Sequence, residues 1–189
     1  VQTCALPILL ACCQLADGAP SARRLVATRA DTPPTIDGKL EDASWQEAAQ
    51  ATGFSVFTNP DQMHPQPTQG RVCFDNDNIY VFLTCHVKDM ERFRSRLAQS
   101  GTDFDYWKGG VVEIFFDLNH DRKTYQQYLL HANGSSFVAL PSDDVLKILN
   151  QDFMTSKSVV TEAGYDIEVA IPLAMLHLRP DTAKIWGFN

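Results

Sequence analysis

From Leu25 onward the chain repeats one pattern: a short run rich in valine, isoleucine and aromatic residues, then a polar break of Asp, Asn, Gly or Pro. Such runs predict strands, and such breaks the turns between them. The clearest case is QGRVCF and IYVFLTCHV around Asp75-Asn76-Asp77-Asn78, a hairpin in which Cys73 faces Tyr80. Period-two alternation sends Ile79, Val81, Leu83, Cys85 and Val87 to one side, and Tyr80, Phe82, Thr84 and His86 to the other. LVATRA, GFSVFT, VVEIFFD, TYQQYLLHAN, SSFVAL, MTSKSVVTEA and YDIEVAIP predict further strands. AKIWGFN predicts one more, and a strand that meets the chain end in mid-run reads as C-terminally truncated. EDASWQEAA predicts a short amphipathic helix anchored by Trp45, and KDMERFRSRLAQS a charged surface connection with helical character. NPDQMHPQP predicts a Pro-rich loop, and LAMLHL after Pro172 a single helical turn. Many short strands with few helices predict an all-β domain, an antiparallel two-sheet β-sandwich. Its core is assigned Val81, Leu83, Val112, Ile114, Phe116, Ile167 and Val169, with Trp45 and Trp186.

The stretch from Asp103 to Asp121, DFDYWKGGVVEIFFDLNHD, departs from that pattern. Val112, Ile114 and Phe116 share one face of its strand, and Val111, Glu113, Phe115 and Asp117 the other. Glu113 is therefore a carboxylate on a strand that otherwise favours burial. Ahead of it, Trp107 stands between Asp105 and the Gly109-Gly110 pair, outside the alternating core. An indole covers the apolar C–H face of a pyranose ring while a carboxylate accepts hydroxyl protons, so this pair suits sugar binding. Structural readings stand beside it: Trp107 as a plug at the sandwich end, Glu113 as partner of a neighbouring Arg or Lys. Tyr106 and Lys108 are candidates by adjacency.

A net charge of -7 argues against a nucleic-acid partner or an anionic lipid surface, which need a basic face. No apolar run of about 20 residues exists, so no transmembrane segment is expected. VQTCALPI reads as a translated sequencing adapter, and LLACCQLADGAPSA as the end of an export signal. Leu9-Leu10-Ala11-Cys12 is similar to a lipobox, in which Cys12 would be lipidated. Residues 1–24 are thus expected to stand outside the fold, and residues 25–189 to form one exported domain: periplasmic, extracellular or anchored at the cell surface. In the hairpin Cys73 and Cys85 lie roughly 16 Å apart at ~3.3 Å per residue, too far for a disulfide, and both read as buried thiols.

Five motifs follow in order: IDGKLEDASWQEA, DNDNIYVFLTCHVKD, Trp107 with VEIFFD, GYDIEVAIP, and WGFN. Together they resemble the family 9 carbohydrate-binding modules, jelly-roll-like β-sandwiches that accompany secreted xylanases and other glycosidases. The resemblance spans Val26 to Asn189. It implies a non-catalytic module binding oligo- or polysaccharide of the xylan or cellulose type, with catalysis supplied by a fused domain. It also implies that Trp107 stacks on a sugar ring and that Glu113 hydrogen-bonds the ring's hydroxyls. The family's second stacking tryptophan falls past Asn189, and its sugar-contacting arginine has no counterpart in TYQQYLLHAN, so specificity is not carried over with the fold.

Asp117, Asn119 and Asp121 place oxygens at alternate positions, a calcium-like spacing, and the family carries structural calcium. Lacking the sixth-position glycine and distal glutamate of an EF-hand, the stretch reads better as a solvated turn, as does Asp75 to Asn78. No GxSxG, HExxH or phosphate-binding glycine loop is present, and Asp103 with Asp105 does not make a glycosidase pair, so no catalytic residue is assigned. Two readings of other classes remain. One is a haem-binding redox subunit of related fold, needing an axial Met, His or Lys pair across an apolar pocket, for which Met63, Met90, Met154 and Met175 are candidates that no spacing singles out. The other is a structural periplasmic domain of an outer-membrane protein, which needs no concave site.

Overall fold

The computed structural model describes residues 8–12, 23–56, 59–100, 109–142, 145–149, 154–176 and 185–188. The chain opens with β1 (Ile8–Cys12), β2 (Arg23–Arg29), α1 (Ala43–Glu47), β3 (Ala49–Ala51), β4 (Ser55–Val56) and β5 (Asn59–Met63). Next come β6 (Thr68–Phe74), β7 (Asn78–His86), α2 (Met90–Gln99), β8 (Val111–Asp117) and β9 (Gln126–His131). It ends with β10 (Ser136–Ser142), β11 (Val145–Leu149), β12 (Thr155–Val160), β13 (Gly164–Pro172) and β14 (Ile185–Phe188).

One sheet runs β12-β13-β7-β6, with β3 also on β6, and the other runs β11-β10-β9-β8-β14-β1. β2 joins them, antiparallel to β1 and parallel to β6. The β6–β7 register sets Cys73 opposite Tyr80, as the DNDN turn predicts. Asp75 fixes that turn, its Oδ1 accepting from the N–H groups of Asp77 and Asn78. Val81, Leu83, Ile167 and Val169 from the first sheet meet Ile114, Phe116, Tyr128 and Trp186 from the second in one buried cluster. Every predicted core residue is in place, with Val112 half-buried against the same cluster. The architecture is the expected β-sandwich. Cys73 and Cys85 are buried free thiols, and burial pushes them up to about 12 and about 11.

The outer face of the β6-β7-β13 sheet carries a second cluster, where Trp45 of α1 meets the edge of Phe82 at 5.6 Å. At its centre Glu168 is 0% exposed. Its carboxylate accepts from Asp37 N at 2.9 Å, Gly38 N at 2.6 Å and Trp45 Nε1 at 2.8 Å. The IDG turn and α1 are thereby fastened to β13. A buried carboxylate is stable only when its oxygens are satisfied in this way.

Several expectations are corrected. Residues 1–24 do not all stand outside the fold: Ile8–Cys12 pairs with β2 and β14, and β2 begins at Arg23. Asn59–Met63, expected as loop, is β5 in a two-stranded sheet with β4, an edge setting that tolerates Pro60. LAMLHL begins as a turn at Leu173–Leu176, in which Met175 N donates to Pro172 O and Leu176 N to Leu173 O. Two pairings, β1–β14 and β2–β6, are parallel in an otherwise antiparallel structure. No helix among the described residues is long and apolar enough to cross a membrane.

Candidate functional site

The site is built on β8. Gly109 and Gly110 lead into it with φ of 96° and 93°. A Cβ on Gly109 would come within 2.9 Å of the Leu97 backbone nitrogen, and one on Gly110 within 2.8 Å of the Phe93 ring. Only glycine accepts both that conformation and that proximity, so the pair lets β8 start directly against α2.

Beyond the glycines, Ile114 and Phe116 turn into the core, while Val111, Glu113, Phe115 and Asp117 line the outer face. Glu113 is half-buried there, and its Oε2 accepts from Gln127 Nε2 at 2.7 Å. In the β8–β9 register Glu113 faces Leu129 and Phe115 faces Gln127, so the amide reaches Glu113 along the diagonal. Among the described residues no Arg or Lys pairs with Glu113, and the one ion pair is Lys39 with Asp37. Glu113 thus differs from Glu168, whose two oxygens both accept, from three donors in all. Next to Glu113, the Phe115 ring meets the edge of Tyr125 at 5.5 Å and 66°.

A cleft of about 740 Å³ opens beside the start of β8, with Glu113 and Phe115 in its wall, Leu83 and Tyr165 among its apolar lining and His86 and Arg92 among its polar groups. Pyranose rings, with apolar faces and hydroxyl edges, match such a mixed lining.

Trp107, Tyr106 and Lys108, like Asp103 and Asp105, lie outside the described residues. Asp117 ends β8, and Asn119 and Asp121 sit in the following turn. The carboxylates of Asp117 and Asp121 serve the turn itself, and Asn119 Nδ2 donates to Thr124 Oγ1. Asp117 accepts from Asp121 N and Arg122 N, and Asp121 from Lys123 N, Thr124 N and Thr124 Oγ1. Those donors, led by Thr124 N, hold the Asp121 carboxyl below the usual carboxylate range. Asp75 is spent likewise, its Oδ2 accepting from the Tyr80 hydroxyl. Among the described residues no three His, Cys, Asp or Glu side chains gather as a metal site. Met63 is 56% exposed, Met154 lies in the sandwich core, and no methionine is among the described residues lining the cleft.

Gln127 and Tyr125 were not singled out from the sequence. The signal was available: counting by twos along TYQQYLLH puts Tyr125, Gln127 and Leu129 on one face.

Comparison with known proteins agrees with this architecture. The profile described as "Carbohydrate family 9 binding domain-like" matches residues 36–189. Two solved structures of a family 9 carbohydrate-binding module from Caldicellulosiruptor kristjanssonii, one in complex with cellotriose and one with glucose, are similar in fold. The cellotriose complex shares 17% identity, with 85% of this chain and 72% of that one covered at a TM-score of 0.60. For the glucose complex the values are 18%, 85%, 75% and 0.58. A putative carbohydrate-binding protein from Bacteroides uniformis shares 10% identity over 80% of this chain and 73% of that one, with a TM-score of 0.56. No curated protein matches. The profile covers most of the chain, and the chain belongs to the carbohydrate family 9 binding domain-like family.

Proposed function

We propose that this chain is a non-catalytic carbohydrate-binding module whose ligand lies against the outer face of β8, hydrogen-bonded by Glu113 and stacked on Trp107. One observation carries the reading: Glu113 is held at a single oxygen by Gln127, and its Oε1 has no partner among the described residues. A carboxylate positioned by one hydrogen bond and open at the other oxygen is prepared to accept from sugar hydroxyls. Trp107, six positions earlier in the approach to the same strand, supplies the aromatic surface. Tyr106 and Lys108 flank it and belong to the same proposal. The ligand class is a plant-type glycan, cellulose or xylan, because similar modules were solved with cellotriose and glucose. The module's role is to hold a secreted glycoside hydrolase, fused to it or acting beside it, on its polysaccharide. A purely structural domain has no use for the cleft beside Glu113.

Calorimetric titration with cellotriose and xylotriose tests this. Hydrogen bonds to a charged group contribute about 1.5–3 kcal/mol, so Glu113→Ala should weaken binding by about ten- to a hundredfold. Glu113→Gln keeps one acceptor and should lose less. Wild-type affinity in a folded Glu113→Ala variant would refute the assignment.

A further inference from the structure

We propose that Phe115 and Tyr125 form a second sugar subsite next to the Glu113–Gln127 pair, so that the module takes an oligosaccharide and not a single ring. This rests on the carbohydrate reading of Glu113 and extends it along the strand.

Tyr125 is 40% exposed, and every other aromatic ring described is buried or half-buried. No hydrogen bond to its hydroxyl is found among the described residues, so polar anchoring does not explain its position. What holds it is Phe115, packed at 66° against it with centroids 5.5 Å apart. Phe115 is fixed in turn by its place on β8, opposite Gln127. The aromatic pair therefore presents a rigid ring on the face that carries Glu113. Two residues along a strand span about 6.6 Å, the scale of one pyranose ring, so a glycan whose first ring meets Glu113 reaches Tyr125 with its next.

The surroundings keep this strip open. On the other side of β8, Gly187 pairs with Asp117 and brings no side chain to the face. The carboxylates at that end, Asp117 and Asp121, are turned onto the N–H groups of their own turn. The second subsite thus offers an apolar platform with few free hydrogen-bonding groups. It should respond to chain length more than to the pattern of hydroxyls.

The test compares glucose with cellotriose by calorimetry on wild type, Tyr125→Ala and Tyr125→Phe. Aromatic stacking on a planar ring suggests a loss of about tenfold in cellotriose affinity for Tyr125→Ala. Glucose affinity should stay at the wild-type level, and Tyr125→Phe should bind both sugars as wild type does. Equal losses for glucose and cellotriose, or no loss for either, would overturn the subsite while leaving the proposed function standing. A wild-type protein that binds neither sugar would overturn the proposed function, and the subsite with it. Because Tyr125 is exposed, its replacement should leave the far-ultraviolet circular dichroism unchanged, which separates lost stacking from lost fold.

Discussion

Glu168→Ala should bring the domain close to unfolding. The substitution strips the acceptor from three donors at once: the N–H groups of Asp37 and Gly38 and the indole N–H of Trp45. Each donor orphaned on burial costs about 1–3 kcal/mol, so the three together cost about 3–9 kcal/mol against a total folding free energy of about 5–15 kcal/mol. The urea midpoint should fall steeply. Glu168→Gln, with one acceptor oxygen left, should fall less. A midpoint equal to that of the wild type would show that the carboxylate does not fasten the IDG turn. The pH dependence has a defined sign. Burial lifts the Glu168 carboxyl above the ordinary range, while hydrogen bonds led by the one from Gly38 pull it partly back. A carboxyl raised in the folded state takes up its proton there first. Its contribution to stability therefore grows as pH falls through the folded pKa toward the unfolded one, and is lost as pH rises again. The margin of wild type over Glu168→Gln should widen on acidification from neutral pH.

Trp107→Ala should remove most glycan binding and leave the melting temperature nearly unchanged. In the sequence Trp107 stands before the Gly109-Gly110 pair and outside the alternation that places Ile114 and Phe116 in the core. Stacking on a single ring contributes about 1–3 kcal/mol, hence roughly ten- to a hundredfold in affinity. A Trp107→Ala protein that fails to fold would make the indole a plug of the sandwich. One that folds and binds as before would leave the ring without a role in recognition.

How much of this was legible in the sequence depends on the range of the interaction. The β6–β7 hairpin was readable because DNDN fixes its register and Asp75 closes the turn from within. The two faces of β8 were readable because period two leaves no freedom once the strand is recognised. The first strand, β1, was not. Ile8–Cys12 has the apolar composition of an export signal and of a strand alike, and its pairing with β2 and β14 is a choice that composition does not encode. Parity put Glu168 on the outer face of β13, but the burial of that face comes from Trp45, 123 residues away in the chain. Of the site, Glu113 was visible because a lone carboxylate breaks an apolar run. Gln127 was hidden because the diagonal bond to Glu113 depends on the β8–β9 register, which the intervening turn does not announce.

The central claim is that the outer face of β8 receives the sugar, and backbone amide shifts on adding cellotriose test it most directly. The largest changes should fall on Val111 to Phe115 and on Gln127 across the β8–β9 pair, with the Trp45–Glu168 cluster on the other sheet undisturbed. Shifts centred on that second cluster, or no shifts anywhere at saturating cellotriose, would contradict it.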